Sequence, residues 1–178
     1  MKKIATIMML FAFASCNSDT STKSTSNDST TKSDVGKTEV SYQYPIGYST
    51  KFEFIDPEKS KMILGIWKDY DNNTLDNIKD QFADTVTMIF PEMKIHAVRD
   101  SIIAAAKAGR NYYRSVTSNV DVVMAVKSTD KGGDWVLVWG DEIHTDQKNK
   151  TDTVALHEVW GLNKAGKIEF MQQYASKK

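Results

Sequence analysis

Residues 82–91 read FADTVTMIFP, an aromatic, a small residue and an aspartate leading into an alternating run that stops at a proline. Val86, Met88 and Phe90 alternate with Thr85, Thr87 and Ile89, the period of two that places successive side chains on opposite faces of a strand. Pro91 has no amide proton and so ends the ladder. The stretch predicts a strand with one apolar face that lines a chamber, and MKIHAV (93–98) follows as a short return strand.

Upstream, Asp56 is a good helix cap, Pro57 fits the first helical position and Glu58 suits the positive end of the macrodipole. Met62, Ile63, Ile66, Trp67 and Tyr70 then recur at helical spacing. Asn73 is expected to cap a second, shorter helix that turns Leu75, Ile78 and Phe82 inward. Downstream, a third helix is expected from Asp100 to Arg114, with Ile102, Ile103, Ala106 and Tyr113 among its apolar positions. Four extended segments follow, at 117–128, 134–145, 151–162 and 167–175, joined by the short turn-rich links TDKGGD, DQKNK and NKAG. Short links force antiparallel neighbours, so these four form a meander. The class is α+β: a curved antiparallel sheet of about six strands wrapped around three helices.

The chain has 178 residues, enough for one ordinary domain with extensions. MKKIATIMMLFAFASC opens it with two lysines, an apolar stretch too short to span a bilayer, and small residues ending at Cys16. FASC (13–16) resembles a bacterial lipobox, in which the leader (1–15) is removed and the new terminal cysteine is acylated. An ordinary cleaved signal would instead leave a stray thiol, since Cys16 is the only cysteine and forms no internal disulfide. Loss of Lys2 and Lys3 with the leader takes the net charge from 0 to −2, which gives no reason to expect a nucleic-acid partner. Residues 17–34 are nearly all Ser, Thr, Asp, Asn and Lys and read as a tether that buries nothing. The arm extends to residue 50 and the domain spans 51–178. The expected location is the cell envelope, held to a membrane through acylated Cys16.

The order helix, helix, hairpin, helix, four strands resembles the nuclear transport factor 2-like (NTF2-like) superfamily, particularly its SnoaL-like branch, with a cystatin-like cone. FADTVTMIFP after two helices and GKIEFMQQYAS (166–176) at the end carry the resemblance, over about residues 57–175. The superfamily includes isomerases, dehydratases, cyclases, ligand carriers and association modules, so the resemblance implies a fold and leaves the activity open. It also implies a homodimer paired through the outer sheet face.

Ketosteroid isomerases of this superfamily need a carboxylate base, a tyrosine and a protonated acid in the cone. By resemblance these positions fall on Phe90, Ile66 and Glu158, and only the last keeps a carboxyl group. Steroid-isomerase chemistry is therefore not expected. Glu158 shares a strand face with Leu156 and Trp160, and the facing segment DWVLVWGDEIH puts Trp139 and Asp141 on one face. Depending on register, Asp141 stands beside Glu158 as an acid–base pair, or both acids serve structure alone. The expected chamber is lined by Ile66, Phe90 and Tyr112, by Trp139, Leu156 and Glu158, and by Trp160, Met171 and Gln173.

His96, His144 and His157 lie on separate segments without ligand spacing, so no metal and no cofactor is expected. His157 reads as an exposed or dimer-facing imidazole. Lys107, Arg110 and Arg114 read as the solvated face of the third helix, with Tyr112 or Tyr113 closing one end of the cone. Met62, Met88, Met124 and Met171 read as core filler. Two functions follow from the sequence: a non-catalytic envelope lipoprotein that binds a small apolar or amphipathic ligand or dimerises, or a lyase, isomerase or hydrolase using Glu158 with Asp141.

Overall fold

In a computed structural model that describes residues 41–178, Asp56 accepts the Glu58 amide at 2.9 Å and opens the first helix, α1 (Glu58–Asn72). The leader, Cys16 and the Ser/Thr-rich segment lie outside the described residues. α1 turns Ile63, Ile66 and Trp67 into the core. Asn73 does not cap a second helix. It adopts the left-handed conformation, φ 58°, and closes α1, with the Asn73 and Thr74 amides donating to Tyr70 and Asp69 carbonyls. The second helix is a 3₁₀ segment, Leu75–Gln81, that buries Leu75 and Ile78.

The strands are β1 (Phe52–Phe54), β2 (Phe82–Phe90), β3 (Met93–Val98), β4 (Tyr113–Ser128), β5 (Asp134–Asp146), β6 (Thr151–Leu162) and β7 (Ile168–Lys177). They form one sheet in the order β1-β4-β5-β6-β7-β2-β3, with the last four strands as the expected meander. Two features depart from expectation. The start of the domain supplies a seventh strand, β1, on β4, and β2 runs parallel to β7 while every other pair is antiparallel. The last helix, α2 (Arg99–Asn111), stops short of Tyr113, which with Arg114 begins β4. Gly109 weakens the helix end and the aromatic pair Tyr112–Tyr113 favours extended backbone.

Directly paired residues share a face, so the register shows which side chains look inward. Ala125, Val136, Trp160, Met171, Met88 and Ile95 form one inner row from β4 to β3. Val122, Trp139, His157 and Tyr174 form an outer row, where Trp139 stacks on His157 at 4.6 Å. His157 is half-buried between Trp139 and Tyr174. The inner rows close over Ile63, Ile66 and Trp67 of α1 and over Ile102 and Ile103 of α2. β4 gains one residue relative to β5 between Val120 and Val122, opposite Gly140. A bulge there bends the pair around α1. Among the described residues no helix is long and apolar enough to cross a membrane.

Candidate functional site

Between the concave sheet face and the helices lies a cavity of about 670 Å³. Its apolar wall is built by Ile66 of α1, Met88 and Phe90 of β2, Ile95 of β3, Ile102 of α2 and Met171 of β7. The polar wall comes from Glu142, His144, Glu158 and Gln173 on the sheet, with Tyr70 and Tyr113 beside them. Pro91, Glu92 and Met93, exposed at the β2–β3 turn, line the place where the cavity reaches the surface.

Glu158 is 5 % exposed. Its Oε2 accepts the indole N–H of Trp67 at 2.7 Å and of Trp160 at 2.9 Å, and its Oε1 accepts from Gln173 Nε2 at 2.8 Å. β6 presents Glu158 and Trp160 on one face, β7 presents Gln173 directly opposite Glu158, and α1 lays Trp67 across them. Burial pushes the Glu158 carboxyl up to about 7, and the Glu142 charge adds to the rise; the three donors oppose it without cancelling it.

A second polar pair stands on β5. His144 Nε2 lies 2.8 Å from Glu142 Oε2, and the imidazole stacks on the Tyr113 ring at 4.3 Å. Burial and the nearby Glu142 charge push both the Tyr70 and Tyr113 hydroxyls up, so both remain protonated. The cavity thus holds two carboxyl groups, an imidazole and two phenols against an apolar wall, a set able to orient the polar end of a small molecule.

Of the residues predicted to line the chamber, Ile66, Phe90, Glu158, Trp160, Met171 and Gln173 border the cavity. Tyr112 does not: it is 71 % exposed, and Tyr113 takes the inward position because β4 starts there. Trp139 and Asp141 point to the convex side, where Asp141 pairs with Lys178 at 2.6 Å. Leu156 is on the concave side but sits in the packed core beside the cavity. The pairing of Val138 with Glu158 puts Val136, Val138, Gly140, Glu142 and His144 inward, so Glu142 occupies the place expected of Asp141. Sequence reading missed Glu142 and His144 by one residue. Both alternating sets of β5 are apolar at their start, and size alone favours the larger rings as the inner set; the small valines are what fit beneath the helices.

Arg110 is also not on a solvated face. It is 5 % exposed and donates to the carbonyls of Tyr70, Asp71 and Tyr113 at 2.7–3.0 Å, tying the end of α1 to α2 and β4. Lys107 pairs with Asp76, and Arg114 donates to Asn149. Among the described residues no three His, Cys, Asp or Glu side chains come together as a metal site.

No protein-family model matches the sequence, and no curated protein matches it. Solved structures do share the fold. An NTF2-like protein of unknown function from Exiguobacterium sp. 255-15 superposes with a TM-score of 0.54 at 12 % identity, covering 65 % of this chain and 98 % of its own. A protein assigned as a SnoaL-like polyketide cyclase from Shewanella denitrificans OS-217 gives 0.56 at 11 %, with 68 % and 92 % covered. An LEH-like epoxide hydrolase from M. tuberculosis gives 0.55 at 10 %, with 67 % and 83 % covered. At these identities the likeness is one of architecture: the domain has the cone fold that these NTF2-like and SnoaL-like proteins share.

Proposed function

We propose that the chain is an envelope lipoprotein whose cone takes up a small, mostly apolar molecule with one polar end. The observation that carries this reading is the cavity of about 670 Å³, apolar on most of its wall, with its polar groups gathered around Glu158 and Glu142. A volume of that size suits a drug-sized guest. The fold is also used by proteins named for polyketide cyclisation and epoxide hydrolysis, which supports a domain built to hold a small molecule. Phe90, which by resemblance stands at the steroid-isomerase base position, brings a ring to the cavity wall, and the predicted partner Asp141 faces away from Glu158. Binding is accordingly the first reading. Proton transfer is the second, favoured by the Glu142–His144 contact at 2.8 Å, because an imidazole held by a carboxylate is a competent general base.

The test is retention. Full-length protein is incubated with a lipid extract, re-isolated and analysed by native mass spectrometry. One small molecule per chain is expected, and Ile95→Trp, which narrows the cavity from a half-buried strand position, should reduce its retention. Wild type that retains nothing overturns the binding reading. A retained molecule that emerges chemically altered moves the assignment to the second.

A further inference from the structure

We infer that the polar end of the bound molecule is a protonated amine, carried on an apolar body and held between Glu142 and Glu158. The inference rests on the binding reading above and names its ligand class.

Charge comes first. Glu142 and Glu158 both face the cavity, and Glu92 adds a third carboxylate where the cavity reaches the surface. The basic side chains nearby are committed elsewhere. Arg110 directs its guanidinium to the carbonyls of Tyr70, Asp71 and Tyr113. Lys177, which borders the cavity, is 81 % exposed at its side chain and pairs with Asp152 at 3.3 Å. Among the described residues no lysine or arginine forms an ion pair with Glu142 or Glu158, and His144 is the ionisable group paired with Glu142. A carboxylate buried as deeply as Glu158 is costly without an opposite charge, and an incoming cation supplies one. A carboxylate ligand would add like charge to the same place.

Hydrogen-bonding capacity points the same way. The donors around Glu158 are already spent on it: the Trp67 and Trp160 indoles and the Gln173 amide. The imidazole Nε2 of His144 is engaged by Glu142. Once an incoming cation favours its ionised form, Glu158 has about one of four lone-pair sites left, and Glu142 has about three. The Tyr70 and Tyr113 hydroxyls can donate or accept, so the unspent acceptors at Glu142 and Glu158 are what a donating, cationic guest meets. Trp67, Tyr70, Tyr113 and Trp160 among the lining residues suit a cation further, since aromatic rings attract one electrostatically.

Three probes with one chain separate the possibilities: n-octylamine, n-octanol and n-octanoate, titrated into the full-length protein at pH 7. Tryptophan fluorescence reports binding through Trp67 and Trp160, and calorimetry gives the affinities. Octylamine is expected to bind at least about tenfold more tightly than octanol, and octanoate most weakly. In Glu142→Gln the ratio of amine to alcohol affinity should fall toward one, with circular dichroism melting checking that the variant is folded. Octanoate binding as well as octylamine overturns the inference, as does an amine advantage that survives in both Glu142→Gln and Glu158→Gln. Octanol and octylamine binding equally sinks the amine assignment while leaving the binding reading intact. Failure of all three probes to bind sinks both.

Discussion

At Glu158 two influences of opposite sign meet on one carboxyl group. Burial favours the neutral acid, while the Gln173, Trp67 and Trp160 donors favour the anion, and burial wins. The folded-state pKa stands at about 7 against an ordinary 4.5, so in that window the native state holds a proton that the unfolded chain releases. Stability from this group is present below the ordinary carboxylate range and is lost as pH rises through about 7, by roughly 3 kcal/mol in all. Glu158→Gln cannot titrate, and its carbonyl oxygen can still accept both indoles while its amide meets a turned Gln173. Its stability relative to wild type should therefore climb between pH 5 and pH 8 in urea melts. Glu158→Leu leaves two indole N–H groups and an amide unsatisfied and should cost about 3 kcal/mol or more at either pH. A Glu158→Gln difference that stays flat with pH would mean the carboxyl is hydrated. Glu158 was legible in the sequence because it lies between Leu156 and Trp160 on a plainly alternating strand. Its neighbour Glu142 was not, because β5 is apolar on both faces and its register depends on partners that sequence does not show.

Elements read well where their ends carry a local signal. Asp56 and Pro57 mark the start of α1, and the turns at 129–134, 146–150 and 163–166 mark the meander. They read poorly where one residue serves either of two roles. Asn73 suits the start of a helix or, in the left-handed conformation it adopts, the end of one. Curvature has its own signal in Gly140. A Cβ there would collide with the Asn119 carbonyl oxygen and come within 3.2 Å of the Trp67 ring, opposite the β4 bulge. Gly140→Ala should therefore cost about 2 kcal/mol or more, as overpacking against backbone does. Gly65 in α1 is the contrast: a Cβ there meets nothing within 4 Å. Gly65→Ala should be neutral or stabilise by up to about 1 kcal/mol from helix propensity. Urea melts of the two variants check both, and Gly140→Ala matching wild type would show that the bend does not depend on that contact.

For the molecule as a whole, the order of elements was enough to expect the cone, since short links leave a meander few ways to fold. The pairing of β2 with β7 was not readable, because it joins segments far apart in sequence and runs parallel where every short link implies the reverse. The lipid anchor is a separate inference, drawn from the leader and FASC at 13–16. It fits the proposed cargo, because an amphipathic amine partitions into membranes and a domain tied to a bilayer works where its guest is concentrated. Acylation at Cys16 makes a definite demand on fractionation. Expressed with its own leader in a bacterial host, the wild-type protein should sediment with membranes, and its N-terminal peptide should carry acyl mass on Cys16. Cys16→Ser should leave the membrane fraction, with the domain unchanged in its melting temperature. A Cys16→Ser protein that stays with the membranes and still carries acyl chains would detach the anchor from this cysteine, leaving the cavity chemistry untouched but removing the reason to place it at a bilayer.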